Sequence, residues 1–255
     1  MDFIKQKLQS VKKEENKMNV FTTERAIKET REIFQNNLST ALNLQRISAP
    51  LIIRDDTGLN DDLNGYERKV KMVLKCGTHV SFAQSLAKWK RYSLQKYGFD
   101  RYNGMYTNMN ALRIDEDLSN LHSYYVDQWD WEVVIDEKDR TIAFLQETVL
   151  KVYDSLKKTD DEVRSMFPHL LDKLPKDIKF IYSSDLEEQY PDLSPKEREY
   201  KACKMYKAVF LMQIGKKLKS GQPHDGRAPD YDDWELNGDI LVYNPILDIP
   251  FELSS

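Results

Sequence analysis

Residues 124–134 read YYVDQWDWEVV, and the alternation is too regular for a helix. One parity puts Val126, Gln128, Asp130 and Glu132 on one face of an extended strand. The other carries Tyr125, Trp129 and Trp131, with Asp127 out of pattern. The aromatic parity reads as a packing face, because tryptophan is mostly a core residue. The polar parity fits either a solvated strand or the floor of a cleft. An amide and a carboxylate side by side, Gln128 and Asp130, would suit a cleft floored by a sheet.

Working outward, helices and strands alternate around this stretch. Upstream, Ile27, Ile33, Phe34, Leu38, Ala41 and Leu42 recur at helical spacing, with Thr22 or Thr23 as the cap. Residues 46–53 (RISAPLII) read as an edge strand, because Pro50 forbids a helix interior. Residues 55–65 (DDTGLNDDLNG) are a turn-rich loop, residues 66–74 and 80–82 strands, and residues 85–96 a basic helix. Downstream, residues 141–156 form an amphipathic helix with Ile142, Leu145, Val149, Val152 and Leu156 on one stripe. A strand follows at 178–183. Ser194, Pro195 and Glu197 make a capping box that opens a helix to about residue 207. Residues 208–215 and 238–244 are strands, and 249–253 pairs back as a hairpin. The fold class is α/β (α+β), with a mostly antiparallel sheet flanked by helices. Residues 1–20 are a polar helix or tail, and 21–255 a single domain.

Composition excludes several classes. The chain has 255 residues, and its 38 basic and 42 acidic side chains leave a net charge of −4, so no basic footprint for nucleic acid is present. With 40% hydrophobic residues and a mean hydropathy of −0.66, the chain can pack a core but has no run of about 18 apolar residues to span a membrane. Two cysteines, Cys76 and Cys203, are too few for a disulfide framework, and the N-terminus lacks an apolar leader. The expected setting is a soluble protein of the cytoplasm. Glycine is scarce, with nine in the chain. No GxxxxGK[ST], GxGxxG or GxSxG occurs, so a nucleotide would have to be held by side chains rather than by a glycine cradle. Four scattered histidines supply no HExxH and no zinc quartet.

Four clusters could carry chemistry: residues 58–65 (GLNDDLNG), 84–91 (QSLAKWKR), 111–132 and 224–239 with 251–254. Taken singly, the acidic loops are ordinary solvated turns and the basic helix a solvated face. Together they supply more. Lys90, Arg91 and Arg113 offer fixed positive charge for phosphates or carboxylates. Asp239 and Glu252, on two strands of one hairpin, could share a magnesium ion with a nucleotide.

The strings QSLAKWKR, LRIDED, YVDQWDWE, HDGRAPDYDDW and LNGDILVYNP resemble the asparagine synthetase A family, the AMP-forming aspartate–ammonia ligases, from about residue 22 to residue 255. That family shares its fold with the catalytic domain of class II aminoacyl-tRNA synthetases. Leu44, Ile47, Pro50, Leu51 and Ile52 are similar to class II motif 1, which lies at a dimer interface. Arg113 through Asp117, a loop, and then Gln128 through Glu132 resemble motif 2, whose arginine holds the α-phosphate of ATP. The resemblance implies an ATP-dependent synthesis of asparagine through a β-aspartyl-AMP intermediate, with ATP and Mg²⁺ required and a homodimer as the assembly. It implies catalytic roles for Arg113, Asp61 and Lys90, an aspartate and ammonia pocket of Asp61, Ser85, Lys90, Gln128, Asp130 and Asp232, and a magnesium–ATP site of Arg113, Asp239 and Glu252. Within that pocket Lys90 would suit a substrate carboxylate, Asp130 or Asp232 an α-ammonium group, and Asp61 the incoming ammonium.

The match departs from the family in two places. The family continues beyond FELSS into a glycine-rich motif 3 with a nucleotide-contacting arginine, whereas this sequence stops at Ser255. It also joins Trp234, Glu235 and Leu236 where the family has a longer loop. An alternative reading is therefore a non-catalytic relative that binds aspartate or nucleotide, or that dimerises; Arg113, Asp239 and Glu252 argue against it. A tRNA-charging enzyme ranks third, because no segment is left over for anticodon binding.

Overall fold

In the computed structural model, residues 19–119, 121–170 and 174–255 are described. The helix or tail expected over residues 1–20 lies outside them as far as residue 18. The long first helix, α1 (Val20–Leu42), is capped by Asn19, which accepts the Thr22 N–H, three residues ahead of the threonines expected to cap it. Pro50 divides the expected edge strand in two, β1 (Leu44–Arg46) and β2 (Ile52–Arg54). The strand expected over residues 66–74 shrinks to β3 (Lys71–Val73), which pairs with β4 (His79–Phe82). The basic helix is α2 (Ala87–Lys96). It is followed by β5 (Gly104–Leu112), which the sequence reading passed over, and by the alternating strand β6 (Tyr125–Val133).

In the second half, α3 (Ile142–Met166) runs ten residues beyond the expected Leu156. Then come β7 (Lys179–Tyr182), the short α4 (Ser183–Gln189) and α5 (Pro195–Tyr206), which opens with the expected capping box. Strand β8 (Ala208–Met212) stops where Gln213 turns to a positive φ of 57°, and β9 (Gly238–Asn244) pairs with β10 (Ile249–Ser254) in the expected hairpin.

Three sheets form among the described residues, in the orders β1-β5-β6, β10-β9-β8-β7 and β2-β4-β3. Only β1–β5 and β7–β8 pair in parallel, so the expectation of a mostly antiparallel α/β fold holds. The largest core cluster joins the first two sheets through α1 and α3. Leu38, Leu42, Val149, Val152 and Tyr153 of the helices pack with Tyr106, Phe210, Met212 and Ile240 of the strands. The aromatic parity of β6 faces this core: Trp129 stacks on Tyr106 at 4.6 Å and meets Phe34 edge-on at 5.4 Å. Asp127, the residue out of pattern, is taken up by Arg31 of α1 in a two-pronged pair at 2.5 and 3.0 Å. Strand β5 begins at Gly104, a position that takes only glycine because a Cβ there would run into the Glu132 carbonyl of β6. This close approach fixes the β5–β6 register, with Thr107 opposite Asp130 and Met109 opposite Gln128. No helix among the described residues is long and apolar enough to cross a membrane.

Candidate active site

With Trp129 and Trp131 partly buried on its other face, β6 turns the polar parity into a cavity of about 640 Å³, where Gln128, Asp130 and Glu132 form a row. Alternate residues of a strand are spaced by about 6.6–6.8 Å, so the row is long enough to meet a substrate along its length. Ser85, Lys90, Arg113, Asp232 and Glu252 also line this cavity. They come from the turn before α2, from α2 itself, from the end of β5, from the 225–237 loop and from β10. Of the nine site residues expected from the sequence, seven line one space; Asp61 and Asp239 stand behind its wall.

At the α2 end the charges are already paired. Lys90 is buried, 3% exposed, and its Nζ donates to Asp130 Oδ1 at 2.6 Å and to the Trp131 carbonyl at 3.0 Å. Glu132 stands 3.7 Å from Lys90 Nζ and 3.6 Å from Arg91 Nε. Burial pushes its carboxyl above the usual range, against the pull of those two cations. Asp61 is fully buried, and its carboxylate accepts the backbone N–H groups of Ala87 and Lys88 at 2.8 and 3.3 Å. Leu86, at the head of α2, has no side chain able to cap, so Asp61 satisfies the first turn from a distant loop and complements the helix dipole. Tyr231 reaches Ser85 by a hydrogen bond, and burial pushes its phenol up to about 12, so it stays neutral.

At the far end of the row, Arg113 follows β5 and donates from Nε to the Gln84 carbonyl at 3.3 Å, with its fork in the cavity wall. Here negative charge dominates. Arg227 stands among Asp225, Asp232, Asp239 and Glu252. It donates to Asp239 Oδ2 at 2.5 Å and to Ser255 Oγ at 3.0 Å. Asp239 is 5% exposed, and burial pushes its carboxyl upward against the opposing pull of Arg227. Its Oδ1 is buried without a hydrogen-bond partner. No group of three or more His, Cys, Asp or Glu side chains among the described residues could hold a metal alone. A pair of carboxylates on adjacent strands, one with an unsatisfied oxygen, does fit magnesium that takes its other ligands from phosphates and water.

The 225–237 loop carries the remaining wall. Lys88 holds Asp230 at 2.8 Å, Arg91 donates to the Tyr231 carbonyl at 2.7 Å, and Arg140 pairs with Asp233. Asn237 donates to Asp232 at 3.2 Å and so orients it toward the cavity. Behind the loop, buried His224 meets Glu199 at 3.1 Å. The sequence reading missed Glu132, Tyr231 and Arg227 as site residues. Glu132 shares the parity of Gln128 and Asp130, a signal that was legible; Arg227 lies inside the string HDGRAPDYDDW, but nothing local marks which of its residues face inward.

The family model described as Aspartate-ammonia ligase matches residues 21–255. Among curated relatives, the aspartate–ammonia ligase of Fusobacterium nucleatum is 51% identical over 238 residues, covering 93% of this chain and 73% of that protein. The Clostridium perfringens enzyme is 52% identical, covering 91% and 70%, and that of Mycoplasmoides gallisepticum 53%, covering 94% and 74%. Among solved structures, asparaginyl-tRNA synthetase from Pyrococcus horikoshii, complexed with asparaginyl-adenylate, superposes with a TM-score of 0.56 at 13% identity, over 86% of this chain and 51% of that one. The Entamoeba histolytica asparaginyl-tRNA synthetase gives 0.53 at 13% identity, over 86% and 49%. The chain thus spans about half the length of these synthetases, and the likeness to them is one of fold.

Proposed function

The chain belongs to the aspartate–ammonia ligase family, and we propose that it makes asparagine in two steps within the β6 cavity, consuming ATP. The β-carboxylate of aspartate attacks the α-phosphorus of ATP, the bond to the β-phosphate breaks, and pyrophosphate leaves. Ammonia then attacks the acyl carbon of the β-aspartyl adenylate. The C–N bond forms, the acyl C–O bond breaks with its electrons leaving on AMP, and the nitrogen loses a proton.

The observation that carries this reading is the row Gln128–Asp130–Glu132 facing one cavity, with a paired lysine at one end and Arg113 at the other. A dicarboxylic amino acid activated at its side chain needs both kinds of end. Arg113 supplies a fork for the α-phosphate, where charge grows in the transition state, and Gln128 lines the same cavity for the reacting carboxylate. Lys90 and Asp130, held against each other, read the α-carboxylate and α-ammonium of aspartate, with Ser85 closing the same end and Asp232, which faces both Tyr231 and Arg227, joining the two ends. Asp61 acts through α2: bound to the N–H groups of Ala87 and Lys88, it sets the helix that presents Lys90. Asp239 and Glu252 would hold magnesium with the nucleotide, and the ion, when bound, neutralises the leaving pyrophosphate. Residues 21–255 act as one catalytic unit, assembled as a homodimer through the stretch around Leu51 and Ile52, which expose apolar side chains. A cytoplasmic setting suits a chain with free Cys76 and Cys203.

The test is exchange of labelled pyrophosphate into ATP without ammonium. Exchange that depends on aspartate supports side-chain adenylation; exchange with other amino acids and not with aspartate, or none alongside measurable asparagine formation, contradicts it.

A further inference from the structure

Glu252 lines the cavity but Asp239 does not, and the group between Asp239 and the cavity is the guanidinium of Arg227. We propose that Arg227 is a shutter: it occupies Asp239 until a metal–nucleotide arrives, then turns its fork to the polyphosphate. This rests on the reading that magnesium–ATP binds between Arg113 and Glu252.

Three features of the geometry support a second position for this side chain. The first is that Arg227 leaves bonding capacity unused: its Nε is buried without an acceptor, and Asp239 Oδ1 is buried without a donor. Two orphaned groups on partners already in contact leave one bond open on each, for water, an ion or a ligand to take. The second is charge. Around Arg227 the carboxylates of Asp225, Asp232, Asp239 and Glu252 outnumber the nearby cations, Arg227 itself, Lys196 and Arg113, and this excess opposes a polyphosphate until the carboxylates are neutralised. A cation that takes over Asp239 and Glu252 frees the guanidinium at the moment when an anion needs it. The third is packing: Gly215 lies close against the stem of Arg227, where a Cβ would press on Arg227 Cβ and Cγ at 3.1 Å, so the stem is held in place and movement is confined to the fork. Its other bonds, to the Ser255 hydroxyl at 3.0 Å and to Asp225 at 3.4 Å, are to groups near the surface and are readily exchanged.

Arg227 is therefore a positioning residue with two opposite effects, and removing it should move two measurements in opposite directions. Without nucleotide, the full chain titrated with Mn²⁺ and followed by electron paramagnetic resonance should bind the ion at least about tenfold more tightly as Arg227→Ala, because Asp239 is unmasked. The same variant should bind ATP about ten- to a hundredfold more weakly, since charge-assisted hydrogen bonds to phosphate are lost. Arg227→Lys keeps the charge without the fork; it should bind Mn²⁺ close to wild type and ATP more weakly. Should Arg227→Ala fail to fold, Arg227→Lys carries the test: ATP binding equal to wild type would overturn the proposal. Weakened ATP binding in Arg227→Ala with unchanged or weaker Mn²⁺ binding would also overturn it, leaving Arg227 as a mere anchor of the loop. The Mn²⁺ titration needs no turnover. A wild type that exchanges no pyrophosphate while the Mn²⁺ shift occurs would therefore fail the ligase reading and leave the shutter standing.

Discussion

The two ends of the β6 cavity are built differently. At the α2 end every charge has its counter-charge in place: Lys90 bonds to Asp130, Glu132 faces Lys90 and Arg91, and Asp61 caps the helix that carries the lysine. At the β9–β10 end Arg227 stands among four carboxylates, with Arg113 in the same cavity wall, and one oxygen of Asp239 has no partner. On the proposed reading, the α-ammonium and α-carboxylate of aspartate cancel, so the end that reads them can be balanced beforehand, while the β-carboxylate carries the remaining negative charge toward the other end. A metal–polyphosphate brings several charges of both signs, so its site is complete only with the ligand present. On that reading, preorganisation is distributed according to the charge each substrate group brings.

This contrast can be broken by mutation, and the largest effect falls at the unbalanced end. Arg113→Ala should lower aspartate-dependent pyrophosphate release by roughly 10²–10³-fold, because the lost contact is one that strengthens as charge develops. Near-normal release would remove Arg113 from the chemistry and place the α-phosphate elsewhere. At the balanced end, Lys90→Met leaves the partly buried Asp130 without its lysine, and a loss of about 2–3 kcal/mol in stability is expected by denaturant titration. Adding Asp130→Asn should restore most of it; a double variant no more stable than the single one would show that the pair is not the buried unit described.

Two smaller effects sharpen the comparison. Glu199 supports the loop that carries Arg227. Burial pushes its carboxyl up, but His224 and Lys196 outweigh this and hold it below the usual range. A depressed folded-state value means stability that is present above the unfolded carboxylate range and is lost as pH falls through the folded value. Glu199→Gln should therefore cost about 1.5–3 kcal/mol near neutrality, with the gap to wild type closing in acid. A gap that widens as pH falls would contradict the sign. Smallest of all, Asp61→Ala should cost about 1 kcal/mol as a lost helix cap, and Asp61→Asn much less. If Asp61 touched ammonium instead, Asp61→Asn would raise the KM for ammonium while leaving the melting temperature unchanged.

Much of the balanced end was legible in the sequence. The period of two in residues 124–134 gave the strand and its inward face, and the resemblance supplied Lys90, Gln128 and Asp130, all of which reach one cavity. Two elements were not legible, for physical reasons. Strand β5 reads GMYTNMNAL and is largely buried on both faces, so no alternation marks it, and Thr107 is its only β-branched residue. Asp127 broke the pattern of its face because its partner, Arg31, is 96 positions away on α1. The unbalanced end was legible as a residue set and not as an arrangement. Asp239 and Glu252 were foreseen as neighbours on one hairpin, but the arginine between Asp239 and the cavity comes from a loop whose path depends on ion pairs to α2 and Arg140.

The most direct measurement is a product assay on the chain with ATP, magnesium, aspartate and ammonium, quantifying AMP, pyrophosphate and asparagine in the same samples. All three are expected in equal amounts, with no ADP. Asparagine accompanied by ADP and phosphate, or AMP without asparagine at saturating ammonium, would contradict a side-chain adenylate formed in this cavity.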